Sequence, residues 1–309
     1  MRIFVTGASG FVGSSVLPEL RQAGHRVSGL ARSDAAAEKV AALGATVVRG
    51  SLDDLDVLAA AAHESDGIIH LAFDHEVAFG GDFAAATASC GKAIEIFGTA
   101  LAGKNGRLVL ASGLVGLTSG KVTTERDGGP KDGAAPSGSA SPRLANVTAT
   151  LALAAQGVRS SVIRLAPTVH GRGDHGFVAI LIDAARRNGR AAYVGNGANR
   201  WPALHVRDAG RLFRLAVESA PPASILHGVG EEGVALKEIA TVIGRHLTLP
   251  VTSITADEAA SEFGFLSRFV SLDSPASYAL TRELLDWTPI GLGLLADLEL
   301  GHYFESPTA

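Results

Sequence analysis

Cysteine is all but missing: Cys90 stands alone in 309 residues. That excludes an internal disulfide and any cysteine-rich metal site, and it suits a reducing compartment such as the cytoplasm. Aromatic residues are also scarce, 6% against 47% hydrophobic overall, so Ala, Val, Leu and Ile must do most of the packing. No apolar run reaches membrane-spanning length, and no basic segment followed by an apolar one opens the chain, so neither a span nor a signal peptide is expected. Basic charge is not in excess: 27 Lys and Arg against 31 Asp and Glu give a net charge of -4, with both signs scattered. Without a basic arm or patch to neutralise many phosphates, nucleic acid is not an expected partner. A small-molecule substrate is.

Alternation fills the first part of the chain. Short β-branched runs at Ile3–Thr6, Arg26–Ala31, Thr46–Arg49, Gly67–Leu71 and Arg107–Ala111 flank Ala/Leu-rich stretches at 11–23, 34–43, 53–62 and 82–102. That rhythm predicts βαβ units and an α/β fold on a parallel sheet. Residues 116–141, rich in Gly, Ser, Pro and Thr, read as a long surface loop. A helix starting near Pro142 and stopping at Gly157 leads to a further strand, VRSSVIRLA. The rhythm loosens after Pro167, where a smaller lobe is expected. We expect residues 1–166 to form the nucleotide-binding part, with 207–225 returning to it, and 167–206 with 226–309 to form the substrate lobe. Helices are expected at 177–188, 207–218, 235–248 and 292–303.

The first strand runs directly into Thr6-Gly7-Ala8-Ser9-Gly10-Phe11-Val12-Gly13, which opens the first helix. Glycines at this spacing remove Cβ atoms where the backbone must turn sharply and approach a pyrophosphate, while the helix start supplies free N–H groups. A dinucleotide is therefore the expected cofactor. The second strand ends in Arg32-Ser33, where an NAD-preferring site places an acid for the ribose hydroxyls. Arg32 and Ser33 suit a 2′-phosphate instead, which favours NADP over NAD. The alternative leaves Arg32 on the surface and makes Asp34 the ribose acid.

These residues, with Ser51-Leu52-Asp53, His70-Leu71-Ala72-Phe73, Ala111-Ser112-Gly113, Arg164 to Gly171, Asn199-Arg200-Trp201-Pro202 and His205 to Asp208, resemble an extended short-chain dehydrogenase/reductase over essentially the whole chain. Within it the chain is similar to the atypical NAD-dependent epimerase/dehydratase-like group. The resemblance implies a Rossmann-type doubly wound parallel sheet with a smaller C-terminal substrate lobe, and a monomer or homodimer. It also implies that Leu71, Ala72 and Phe73 cover the ribose side. Ser51 and Leu52 would then approach the adenine, and Pro167, Thr168 and Val169 would lie near the nicotinamide amide.

The family's Tyr four residues before a Lys is missing: of Tyr193, Tyr278 and Tyr303, none has a Lys at that spacing. The lysine position falls near Arg143 and the tyrosine position near Ser139. Arg143 can hold a ribose hydroxyl, but its pKa is too high for proton transfer. Substitutes are Ser112, at the end of the fifth strand, and His75, in the stretch after the fourth. Ser112 can equally cap its turn. His170, His175, Asn199 and Trp201 are candidate substrate contacts, although Trp201 before Pro202 equally suits a packing anchor. No residue spacing suggests a metal. The expectation is an NADP-dependent oxidoreductase for a small carbonyl or alcohol, with a non-standard proton donor. The alternatives are an NADP-binding sensor without turnover and a nucleotide-sugar epimerase or dehydratase.

Overall fold

The computed structural model describes residues 1–115, 117, 120–128 and 142–305. Its first half is β1 (Arg2–Thr6), α1 (Phe11–Gln22), β2 (Arg26–Ala31), α2 (Asp34–Ala42), β3 (Thr46–Arg49), α3 (Leu55–His63), β4 (Gly67–His70), α4 (His75–Phe79), α5 (Phe83–Leu101), β5 (Arg107–Gly113), α6 (Pro142–Ala152) and β6 (Arg159–Leu165). The second half is β7 (Thr168–His170), α7 (Phe177–Asn188), β8 (Ala191–Val194), β9 (Arg200–His205), α8 (Val206–Ser219), β10 (Ser224–Gly228), β11 (Glu231–Ala235), α9 (Leu236–Leu247), β12 (Val251–Ile254), α10 (Ala259–Phe263), α11 (Ala279–Leu285) and α12 (Leu294–Glu299).

Seven parallel strands form the main sheet in the order β10-β6-β5-β4-β1-β2-β3. Their side chains alternate between two buried faces, so the strands read as nearly continuous apolar runs. Ile3, Val5, Ile69, Val109 and Ile163 point to a core shared with α1 and α8. Phe4, Ile68, Leu108, Leu110 and Val162 point to another, shared with α3, α5 and α6. On the first face α8 rides tightly on α1: a Cβ at Gly210 would lie 2.7 Å from the Ser15 carbonyl oxygen, so only glycine fits there. Strand order reverses between β1 and β4, which leaves a crevice beyond their carboxyl ends, where open α/β sheets bind ligands.

The second lobe holds a three-stranded sheet, β11-β9-β7, and the parallel pair β12-β8. Its core gathers Ile182, Trp201, Ile239, Ile243, Phe263, Leu266 and Leu298. The chain then crosses back, because Leu285 and Trp287 pack into the core of the main sheet.

Three expectations need correction. The stretch around His75 is not loop: Asp74 accepts a hydrogen bond from the Val77 N–H (3.0 Å) and caps α4, which begins at His75. The expected terminal helix, 292–303, shrinks to Leu294–Glu299, since Gly301 at φ +82 ends the turn that follows it. The expected surface loop is, over 120–128, anchored to the protein by two buried side chains while Gly120, Lys121, Val122 and Arg126 stay exposed. Thr123 and Glu125 are buried, Thr123 bridges to Ala276, and the Glu125 carboxylate accepts from both the N–H and the hydroxyl of Thr281, each at 2.8 Å. A buried carboxylate with two donors satisfies the polar groups that would otherwise keep this segment in water.

Trp201 is fully buried against Phe177 in the second-lobe core. Trp201→Ala should lower unfolding stability by about 3–5 kcal/mol through the cavity it leaves, measured by denaturant titration. Trp201→Phe should cost much less, because the indole N–H has no hydrogen-bond partner to lose.

Candidate active site

The crevice begins at the glycine turn. Gly7 takes φ +67, and a Cβ on it would sit 2.9 Å from the Ala72 nitrogen; a Cβ on Gly13 would sit 2.3 Å from the Gly7 carbonyl oxygen. The two strand ends are therefore as close as backbone permits. Gly10 precedes α1 with no side-chain cap, and no acid occupies the helix's first turn. The open N–H groups and positive helix end suit a pyrophosphate, so Thr6, Gly7, Ser9, Gly10, Phe11, Val12 and Gly13 fit a dinucleotide by shape and by charge.

A buried polar chain, beyond what the sequence motifs suggested, ties this turn to the wall behind it. The Ala72 N–H donates to Thr6 Oγ1 (3.2 Å), which leaves the Thr6 hydroxyl hydrogen for His70 Nδ1 (2.6 Å). The other ring nitrogen, Nε2, then donates toward Cys90 Sγ (3.3 Å). This order of donors requires a neutral ring, and burial first, then the charge of Arg143, push the His70 pKa down to about 4. Burial pushes the Cys90 thiol up to about 11, so this cysteine is no nucleophile at neutral pH. Asn146 of α6 donates to the Thr87 carbonyl of α5 (3.0 Å) and bonds the Cys90 side chain, which fixes the helix that carries Arg143.

Arg143 occupies the centre of the crevice wall. Its guanidinium lies 4.1 Å from the Phe73 ring centroid and donates to the Ala111 carbonyl (3.5 Å) at the end of β5. Phe73 in turn meets the His75 ring edge-on at 5.1 Å. His75 is exposed as a residue, but desolvation of its ring among these neighbours, followed by the nearby Arg143 charge, lowers its pKa; Asp74 opposes this and His175 adds to it. His175 also faces Phe11, with ring centroids 6.1 Å apart. Residues from four separate stretches, Phe11, Phe73 with His75, Arg143 and His175, thus border one cleft. Ser112, half-buried in β5 and paired across the sheet with Arg164, stands one residue beyond the carbonyl that Arg143 holds. The family-derived tyrosine position, Ser139, lies outside the described residues.

Arg32 projects from the end of β2, 4.0 Å from Asp74 and 3.9 Å from Glu76. Ser33 caps α2 by accepting from the Ala36 N–H, which leaves its hydroxyl hydrogen for another acceptor. Asp34 pairs with Arg49 at 2.6 Å. Ser51 donates to Asp54 through its N–H and hydroxyl, while Leu52 packs on the α3/α5 core.

Three expected substrate contacts have structural work instead. Trp201 is sealed in the core. Asn199 donates to the carbonyls of Val270 (2.8 Å) and Leu272 (3.3 Å) and pins that segment to the lobe. His170 is buried with its Nδ1 2.9 Å from Asp297 Oδ2, which binds β7 to α12. Thr168 donates to the Pro202 carbonyl (2.7 Å); Pro167 leads from β6 into β7, which holds Thr168 and Val169. Among the described residues, no group of three or more His, Cys, Asp or Glu side chains is arranged to hold a metal ion, and no helix is long and apolar enough to cross a membrane.

Two further anchors have roles that the motifs did not suggest. Arg164, buried and paired with the carbonyls of Asp127 (2.6 Å) and Gly128 (2.8 Å), fastens the segment beyond β5. Burial lowers its pKa to about 10, so it stays charged. The Tyr303 hydroxyl donates to Asp174 (2.8 Å) and accepts from the Gly171 N–H (3.1 Å), fixing the loop that ends in His175.

A parallel sheet with its glycine turn at the reversal point, a closing second lobe and a polar cleft between them define an extended short-chain dehydrogenase/reductase without the usual Tyr/Lys pair. Residues 3–226 match the model of the NAD dependent epimerase/dehydratase family, and the chain belongs to that family. It is 45% identical over 308 residues to an uncharacterized protein of Schizosaccharomyces pombe, covering 98% of this chain and 100% of that one. An uncharacterized protein of Saccharomyces cerevisiae is 42% identical over 306 residues, covering 98% and 99%. Among solved structures, the dTDP-glucose 4,6-dehydratase DesIV of Streptomyces venezuelae, with NAD bound, superposes with a TM-score of 0.74 at 19% identity, covering 97% of this chain and 96% of that one.

Because the folded protein holds His70 neutral well below its ordinary pKa, the unfolded chain takes up a proton first as pH falls. Stability is full above about pH 6.5 and is lost down to about pH 4, on the order of 3 kcal/mol for His70. His227, also held near 4 by burial, acts in the same sense. Denaturant titrations between these pH values should show the slope, and His70→Gln should flatten part of it.

Proposed function

We propose that the protein is an NADP-dependent oxidoreductase that interconverts a small carbonyl and its alcohol, with His75 as the proton carrier. The observation that carries this reading is the stack Arg143–Phe73–His75 beside the carboxyl end of β5. It sets a fixed cation and a titratable ring at one cleft, where the family's tyrosine and lysine are missing.

Thr6, Gly7 and Ser9 to Gly13 would hold the pyrophosphate, and Arg32 with Ser33 the 2′-phosphate. Leu52 would lie toward the adenine, Leu71 to Phe73 and Arg143 toward the ribose, and Pro167 to Val169 toward the nicotinamide amide. These residues would hold a nicotinamide coenzyme, which would supply or accept the hydride at the substrate carbon. The Ser112 hydroxyl orients the substrate oxygen by a hydrogen bond. His75 delivers a proton to that oxygen in reduction and removes it in oxidation. Its lowered pKa leaves the ring largely neutral at pH 7, ready to act as base, with a minor protonated fraction as acid. Arg143 stays cationic; its charge adds to desolvation in lowering the His75 pKa and cannot itself move a proton.

Coenzyme titrations followed by tryptophan fluorescence should show NADPH binding more tightly than NADH. Arg32→Ala should weaken NADPH roughly thirtyfold, the equivalent of about 2 kcal/mol for a lost charged hydrogen bond, and leave NADH nearly unchanged. With a carbonyl panel followed at the NADPH absorbance, His75→Gln should lower kcat on the order of a hundredfold. Wild-type reduction should slow as pH rises through the His75 pKa, below its ordinary value of 6.5. Tight NADPH binding with no turnover on any carbonyl would replace this reading with that of a coenzyme-binding sensor.

A further inference from the structure

Arg32 is the one basic side chain offered to a 2′-phosphate in the reading above, yet it does not stand free. Its Nη1 lies 4.0 Å from Asp74 Oδ2 and its Nη2 3.9 Å from Glu76 Oε2. Both acids come from the start of α4, on either side of His75. The third acid nearby, Asp34, is engaged elsewhere, at 2.6 Å from Arg49. One guanidinium therefore faces two carboxylates at the end of β2. Helix α4 does not need both charges. Asp74 caps it through one oxygen bonded to the Val77 N–H (3.0 Å), a task an Asn side chain performs equally well, and Glu76 is 88% exposed.

We propose that Asp74 and Glu76 set the coenzyme discrimination of this site by competing with the coenzyme's 2′-phosphate for Arg32. The inference rests on the NADP reading and extends it to residues outside the glycine turn and β2. A phosphate is the stronger partner for a guanidinium, with two parallel hydrogen bonds available, but to take Arg32 it must displace carboxylates that then face a dianion. A coenzyme with free ribose hydroxyls meets neither obstacle. The two acids therefore narrow the preference that Arg32 and Ser33 create, and they do so through exposed charges that salt screens.

The full-length protein and its Asp74→Asn/Glu76→Gln variant are titrated with NADPH and with NADH at low ionic strength and at about 1 M salt, where screening reaches within about 3 Å. Removing two charges about 4 Å from the guanidinium should tighten NADPH roughly tenfold at low salt and leave NADH unchanged. The gain should shrink at high salt and should vanish when Arg32→Ala is added. NADPH affinity that does not change, an equal gain for NADH, or a gain that survives in full without Arg32 would overturn the inference while a wild-type preference for NADPH kept the coenzyme reading intact. A wild-type protein that binds NADH more tightly would overturn both.

Discussion

The contact between the turn after β1 and the turn after β4 governs the molecule. Gly7 lies against the backbone of Leu71 and Ala72 so closely that any side chain would be driven into it. Thr6 receives the Ala72 N–H on the far side. Strand order reverses between these two strands, so their connections leave to opposite faces of the sheet and a crevice opens beside the close approach. From that point outward the other parts take their positions. The open start of α1 faces the crevice, Phe73 turns up beneath Arg143, and α4 begins with His75. The candidate coenzyme site and the candidate proton carrier are thus two sides of one backbone approach.

Polar interactions inside the protein do for the cleft what apolar packing does for the sheet. His70, Cys90 and Asn146 link the glycine turn to α5 and α6, and Arg164 reaches from β6 to the carbonyls of Asp127 and Gly128. Each of these buried groups is satisfied by specific neighbours on other elements, so a shift of an element would orphan a donor or acceptor in a low-dielectric interior. Apolar contacts tolerate sliding; these do not. Rigidity is concentrated at the carboxyl edge of the sheet, where a reacting group must be held.

The sheet was legible because its strands are buried on both faces and show as apolar runs between amphipathic stretches, and the glycine turn was legible because steric need leaves a spacing in the chain. Arg143 could be placed by counting from Gly157 and β6, since a helix of known end has a fixed rise. The short helix α4 was not legible: five residues carry no period, and the Asp74 cap alone does not announce it. Trp201, Asn199 and His170 looked like ligand contacts because polar and aromatic side chains near a turn suit binding. The hydrogen-bond partners that claim Asn199 and His170, at 270–272 and 297, lie far along the chain and leave no local pattern. The anchoring roles of Arg164 and Tyr303 were hidden for the same reason.

Tyr303 gives the fold a temporal order. Strands β1 to β6 lie within the first 165 residues, and domains begin to fold from the N-terminal side as the chain emerges from the ribosome. The loop ending in His175 is tied down by a hydroxyl that arrives more than a hundred residues later, among the last residues described. A growing chain can therefore assemble the strands that frame its coenzyme crevice well before it has the anchor that sets the opposite wall. The wall that carries His175 gains this tie only after the sheet beside it has been made.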